Sequence, residues 1–280
     1  MSSLAYVLAI DQGTTSTRAI LFDSFGRTRS GAQIELTQHY PRPGWVEHDP
    51  EEIWQSVVST CREVLSIADG PIAAIGLTNQ RETTVLWERA TGRTIHKAIV
   101  WQDGRTAELC ANWRADGLAE TIAQRTGLVV DPYFSASKIR WLLDTVPGLH
   151  ERARAGEIVF GTIDSFLLWR LSGGRRHATD VTNASRSMLF DSRRLAWDEE
   201  LLGALGIPTS ILPIAKIPFH HHCCMPAGSV ASLRRRSRVC SHNAMLLGQT
   251  SRTVVRSVAT MGSFVSVFLT TERPYTEERV

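Results

Sequence analysis

Asp11 stands beside Gly13, Thr14, Thr15 and Ser16, directly after the apolar run Tyr6-Val7-Leu8-Ala9-Ile10. A carboxylate at the mouth of a turn rich in hydroxyls and backbone N–H groups suits a phosphate ester and its counter-ion. Hydroxyls and amides donate to phosphate oxygens, and a carboxylate is the hard oxygen ligand that Mg²⁺ prefers. Gly13 is expected to supply a turn at φ > 0. An ordinary strand–turn–strand hairpin continuing into Ala19-Ile20-Leu21-Phe22-Asp23 uses the same residues, so this segment alone leaves both readings open.

A second polar cluster, Thr78-Asn79-Gln80-Arg81-Glu82-Thr83-Thr84, follows the apolar run Ile72–Leu77. Sheets flanked by helices gather their ligands at the carboxyl ends of strands. Arg81 and Glu82 place a donor fork beside an acceptor, which matches adjacent hydroxyls on a small polyol; a surface ion pair is the plainer alternative. Trp101 ends the run Ala98-Ile99-Val100 and offers either a flat wall for a carbon chain or a core side chain. Asp131-Pro132-Tyr133-Phe134-Ser135 reads as a proline-bound turn carrying a tyrosine hydroxyl, or as a helix lead-in with Tyr133 half-buried.

The elements that must position these groups are patterned over the first 213 residues. Tyr6–Ile10 lacks a helical period and reads as a buried strand. Asp49-Pro50-Glu51-Glu52 is a helix start, with a capping Asp, Pro at the first helical position and acid in the first turn. Trp54, Val57, Val58, Cys61, Val64 and Leu65 then share one face. Ile72–Leu77, Val85–Trp87 and Ala98–Trp101 read as strands, and helical patterns cover 106–113, 137–143, 149–155 and 164–171. Strands followed by helices after an opening antiparallel run imply an α/β fold, a mixed sheet with flanking helices.

Composition sets the class. The 280 residues are 43% hydrophobic and 21% charged, as in a globular protein. No apolar run approaches the length of a membrane span and no signal-peptide pattern is present, so no membrane association is expected. The five cysteines are unevenly placed, which suits a reducing, cytoplasmic location. The net charge of +3 is asymmetric: residues 201–280 carry nine Lys+Arg against three Asp+Glu, and no acidic residue lies between Glu200 and Glu272.

From about Ala215 the periodicity fails. His220-His221-His222-Cys223-Cys224, with Cys240 and His242, invites a zinc reading, but contiguous ligands cannot all face one ion. The arginines between 234 and 238 lack the aromatic interleaving of a nucleic-acid surface, so no nucleic acid is expected as a partner.

Taken together, the segments 9–18, 43–50, 76–84, 99–103, 131–135 and 179–186 resemble the glycerol-phosphorylating branch of the FGGY carbohydrate kinase family, within the actin-like ATPase superfamily. The resemblance spans roughly residues 5–213 and implies an actin-like, ribonuclease H-like domain over 1–213. It implies ATP and Mg²⁺ as cofactors, glycerol as substrate, and transfer of the γ-phosphoryl group to a terminal hydroxyl to give glycerol 3-phosphate. Asp11 would position Mg²⁺, and Thr14, Thr15, Ser16 and Arg18 would contact ATP phosphates. Arg81, Glu82 and Tyr133 would bond the glycerol hydroxyls, Trp101 would pack on its carbons, and Phe264 would face glycerol. Members of the family are often homo-oligomers.

The chain departs from the family pattern after residue 213. The family's catalytic Asp opens its second domain, and here Ser241 occupies the aligned position, so the catalytic base is unknown. Residues 214–280 are expected to be an aberrant, incomplete start of that domain, with 215–257 bearing the marks of a locally frame-shifted translation. The chain itself is therefore expected to be inactive or impaired. A non-catalytic glycerol-binding fragment and a kinase of another polyol or sugar are the rival expectations.

Overall fold

The structure, a computed structural model, describes residues 5–216, 239–243 and 266–270. The strands are β1 (Tyr6–Gln12), β2 (Ser16–Phe22), β3 (Thr28–Glu35), β4 (Glu47–His48), β5 (Ile72–Asn79), β6 (Val85–Glu88) and β7 (Ala98–Ile99). They continue as β8 (Ile158–Gly161), β9 (Ala178–Asp180), β10 (Phe190–Asp191), β11 (Ala196–Trp197), β12 (Ile214–Lys216), β13 (Val239–Asn243) and β14 (Ser266–Thr270). The helices are α1 (Pro50–Leu65), α2 (Ala107–Ala115), α3 (Leu118–Thr126), α4 (Ser135–Thr145), α5 (Leu149–Arg154), α6 (Ile163–Leu171), α7 (Val181–Ala184) and α8 (Glu199–Ala204).

The main sheet runs β13-β14-β5-β1-β2-β3, with β1 parallel to β5 and every other neighbouring pair antiparallel. The opening antiparallel run and the mixed sheet are thus as the sequence implies. Side chains alternate across a strand. Leu8, Ile10, Ala19 and Leu21 therefore point to one face, where they join a core with Ile53, Val57, Cys61 and Val64 of α1. Those four helix residues are fully buried, each contributing about 1.5–3 kcal/mol relative to exposure. Helix α1 begins where its signals place it: the Asp49 side chain accepts from Glu51 N at 2.8 Å, and Pro50 occupies the first turn.

A second core gathers Leu86, Ile99, Cys110, Ile139, Leu142, Phe160 and Met188. The antiparallel pair β6–β8 divides the two cores, with Trp87 and Val159 on one side and Leu86 and Phe160 on the other. The strand expected over 98–101 is shorter than its apolar run. Only Ala98 and Ile99 pair with β4, and after Val100 N donates to Val46 O at 3.0 Å the chain turns. That turn carries Trp101 off the strand and toward the end of β1.

Candidate active site

The turn after β1 is held from behind. Gly13 N donates to Ser16 O at 2.9 Å, Gln38 Nε2 to Thr14 O at 2.7 Å, and Leu36 N to Thr15 O at 2.9 Å. Gln12 is fully buried and its Nε2 donates to Gly13 O at 2.7 Å. Gln80, at the end of β5, adds its backbone N to Gln12 O at 2.9 Å and its Nε2 to Gly13 O at 3.2 Å. The five consecutive carbonyls from Gln12 to Ser16 are thereby fixed. Gly13 does not take the left-handed conformation that its type suggests. Its need is space: a Cβ there would sit 3.3 Å from Ser16 O.

Asp11 lies opposite Arg18 on β2 and Thr78 on β5, on the face away from α1. Burial pushes its carboxyl above the usual range, and the Arg18 charge opposes that shift. A half-buried carboxylate under that pressure is suited to receiving a further cation. Arg18 is exposed and donates through Nε and Nη2 to Gln33 Oε1 at 3.0 and 2.7 Å, while Gln33 Nε2 donates to Ser16 Oγ at 3.2 Å. Arg18 and Ser16 thus share one partner. Thr14 is half-buried and Thr15 exposed.

The second group of residues assembles beside this turn. Glu82 is 3% exposed, and its Oε1 accepts from Arg186 Nε at 2.7 Å. The plainer alternative of a surface pair for Glu82 is not what forms. The Arg186 guanidinium lies 5.7 Å from the Tyr133 ring and 4.9 Å from the Phe134 ring. Tyr133, half-buried, sits 5.4 Å from Trp101 in a tilted ring contact. Trp101 Nε1 donates to Thr14 Oγ1 at 2.9 Å, which joins the aromatic wall to the turn after β1. Thr83 Oγ1 completes the link, accepting from Trp101 N at 3.3 Å and donating to Gln80 Oε1 at 2.7 Å. Arg81 is half-buried at the same strand end.

Several supporting residues escape a reading of the sequence. Gln12, Gln38 and Gln80 carry no local mark of their role. Arg186 lies within the segment 179–186 but its partner is 104 positions away. Asn183 makes a bond of equal reach, its Oδ1 accepting from Asn79 Nδ2 at 3.1 Å. Lys138 is fully buried on α4. It does carry a signal, because it falls among Ala136, Ile139 and Leu142 on the apolar face of the helix. His48 Nδ1 lies 3.1 Å from Gln80 Nε2, and burial lowers the ring's pKa to about 4.

Ser241 belongs to β13, its backbone opposite Phe268 of β14. Phe264, the cluster His220–Cys224 and the arginines of 234–238 lie outside the described residues. Among the described residues, no three His, Cys, Asp or Glu side chains are grouped to hold a metal ion, and no helix is long and apolar enough to cross a membrane.

Known proteins share sequence and fold with this chain. The sequence profile of the N-terminal domain of the FGGY family of carbohydrate kinases matches residues 6–217. Glycerol kinase of Methylibium petroleiphilum is 61% identical over 221 residues, covering 78% of this chain and 44% of that protein. Glycerol kinase of Cereibacter sphaeroides is 56% identical over 227 residues, covering 80% of this chain and 45% of that protein. The chain thus spans less than half the length of these relatives. Among solved structures, Plasmodium falciparum glycerol kinase with ADP superposes with a TM-score of 0.74 at 36% identity, over 76% of this chain and 43% of that one. Gluconate kinase from Lactobacillus acidophilus gives 0.74 at 25% identity, over 82% and 46%. The mixed sheet with its flanking helices is the actin-like fold of these sugar kinases, and the chain belongs to the FGGY family of carbohydrate kinases.

Proposed function

We propose that this chain carries the polyol-binding and phosphate-facing half of a glycerol kinase active site, whose reaction is ATP-dependent phosphorylation of glycerol to glycerol 3-phosphate. The observation that carries the reading is the bond from Trp101 Nε1 to Thr14 Oγ1, which sets the aromatic wall and the hydroxyl-rich turn side by side. Trp101 and Tyr133 offer apolar ring surface to a carbon chain, and Glu82, Arg81 and the Tyr133 hydroxyl offer acceptors and donors to its hydroxyls. Because Thr14 Oγ1 accepts from the indole, its own proton remains to donate to a phosphate oxygen. Thr15, Ser16 and Arg18 extend that donor surface.

Asp11 is the residue that fits Mg²⁺, since its carboxylate is held half-buried above its ordinary pKa range. The ion would supply charge neutralisation on the transferring phosphoryl group, the main requirement of this chemistry. The contribution of the chain is orientation: a terminal hydroxyl held against the turn after β1 approaches a phosphoryl group in a fixed direction. The Plasmodium falciparum glycerol kinase structure with ADP supports a nucleotide as a ligand of this fold. The first domain corresponds to 1–213 in this reading, and 214–280 to the start of the second.

Abstraction of the proton from glycerol requires a base, and Ser241 at the family's aspartate position supplies none at neutral pH. Turnover by this chain is therefore expected to be low, with glycerol binding retained. The test is glycerol-dependent ADP release with Mg²⁺-ATP, beside an Asp11→Ala control and a glycerol titration. Binding with little turnover supports the reading. Turnover that is lost in the control would show that a base is present after all, and no binding by the folded chain would overturn the assignment.

A further inference from the structure

Lys138 is fully buried in the first turn of α4, where no solvent reaches its ammonium group. That position opposes a cation twice: burial disfavours charge, and the positive end of the helix dipole lies at the same end of α4. Its Nζ turns back past the helix start and donates to three consecutive carbonyls, those of Pro132, Tyr133 at 2.9 Å and Phe134 at 3.2 Å. From the other side Asp131 closes the amides, with Tyr133 N donating to its Oδ1 at 2.8 Å and Phe134 N to its backbone O at 3.3 Å. Every backbone group of the Tyr133–Phe134 turn is therefore bound. Ser135 Oγ donates to Glu82 O at 3.1 Å and anchors the turn to the strand end that carries Glu82.

We propose that Lys138 is a positioning residue of the polyol site, its ammonium gripping the Pro132–Phe134 carbonyls so that the Tyr133 ring stands against Trp101 and beneath the Arg186 guanidinium. This rests on the polyol reading of the site given above. The hydrogen bonds of its ammonium run to the Pro132–Phe134 carbonyls, so its effect falls first on the aromatic wall.

The charges that face Lys138 are Asp103 and Glu82, which favour its proton, with Asp131 and the Cys110 thiol adding to them. Asp103 is itself paired with Arg105 and Glu82 with Arg186, which weakens their pull. Burial dominates and brings the pKa of Lys138 down to about 7. An ammonium has three donors for three carbonyls, whereas a neutral amine has two and aims a lone pair at the third. The grip is accordingly expected to slacken as pH rises through neutrality.

The test compares the full chain with Lys138→Met, which keeps length and apolar stem but removes the donors. Hydrogen exchange of the Tyr133 and Phe134 amides is expected to speed up roughly tenfold in the variant, with exchange in α1 and β5 unchanged; one strong hydrogen bond is worth about that factor. Glycerol affinity is expected to fall by a similar factor in the variant. In the parent chain affinity should fall about threefold from pH 6.5 to 8.5, a dependence absent from the variant. Equal turn exchange in the two proteins, or the same pH profile in both, would overturn the proposal. Should the variant fail to fold, the parent chain decides alone: glycerol affinity and normalised turn exchange that stay flat from pH 6.5 to 8.5 overturn it. Should glycerol not bind the parent chain, the polyol reading fails separately, and exchange of the turn still decides whether Lys138 holds it.

Discussion

The indole N–H of Trp101 donates to the hydroxyl of Thr14 at 2.9 Å, across 87 positions of sequence. The same indole faces Tyr133 at 5.4 Å. One side chain thus serves two neighbouring surfaces, by its N–H edge on one and by its ring on the other.

These two uses are separable. Trp101→Phe keeps ring area against Tyr133 and loses the donor to Thr14. Affinity for Mg²⁺-ADP is expected to fall about threefold, the worth of one partly solvated hydrogen bond, with glycerol affinity changed less than about twofold. Trp101→Ala is expected to weaken both. Calorimetric titration of each ligand separately checks the split, and equal losses in Trp101→Phe would contradict it.

The Arg186–Glu82 pair should show the asymmetry of a buried charge. Arg186→Leu leaves the Glu82 carboxylate, 4% exposed in its side chain, without its partner. Stability is expected to drop by about 3 kcal/mol. Glu82→Gln retains an acceptor oxygen for Arg186 and should cost about 1 kcal/mol. Urea midpoints at neutral pH measure both.

Asp164 gives a pH signature. It is buried, its oxygens accept from Thr162 and from Thr179 Oγ1 at 2.7 Å, and burial, aided by the Asp180 charge, raises its pKa from 3.8 to about 7. Between those values the folded chain keeps a proton that the unfolded chain has released, so stability from this group falls as pH rises from 4 to 7 and is level above. Asp164→Asn should therefore gain on the parent chain by up to about 4 kcal/mol between pH 4 and 8. His48 and His177, both lowered to about 4 by burial, slope the other way up to pH 6.5. Both proteins share those slopes, which cancel in the difference between their denaturation midpoints. A constant difference would refute the assignment.

Gly161 is a packing constraint where β8 meets Trp87 and helix α6. A Cβ there would lie 2.5 Å from Ser165 Cβ and 2.8 Å from Trp87 Cη2. Gly161→Ala should lose about 1–3 kcal/mol through overpacking, read as a lower thermal midpoint. Gly203→Ala, where nothing lies within 4 Å, serves as the control and should leave it near its original value.

What could be read from the sequence divides along sequence distance. The cap at Asp49, the apolar face of α1 and the strands flanking Asp11 and Arg81 are local patterns, and the structure has them. Helix α3 hides between Gly117 and Gly127, both at positive φ, and only Ile122 and Thr126 are buried along it, too few to mark a face. Strand β8 is a four-residue apolar run, too short to declare its period. In the site, Asp11, Thr14, Glu82, Trp101 and Tyr133 stand in recognisable local runs. The pairings of Gln80 with Gly13 and of Arg186 with Glu82 are not legible there, because a hydrogen bond formed over 67 or 104 residues leaves no trace in neighbouring positions. Lys138 is the exception that a helical projection would have found.

The bonds Arg186–Glu82 and Asn183–Asn79 both span 104 residues. Strands β1 and β5 and helix α1, by contrast, are complete by residue 79. A chain emerging from a ribosome can therefore form the turn after β1 early, while the Glu82 side of the candidate site must wait until residue 186 has cleared the exit tunnel. Until then Glu82 lacks the Arg186 guanidinium, and the nascent sheet carries a solvated carboxylate at the strand end where the finished protein has a largely buried ion pair.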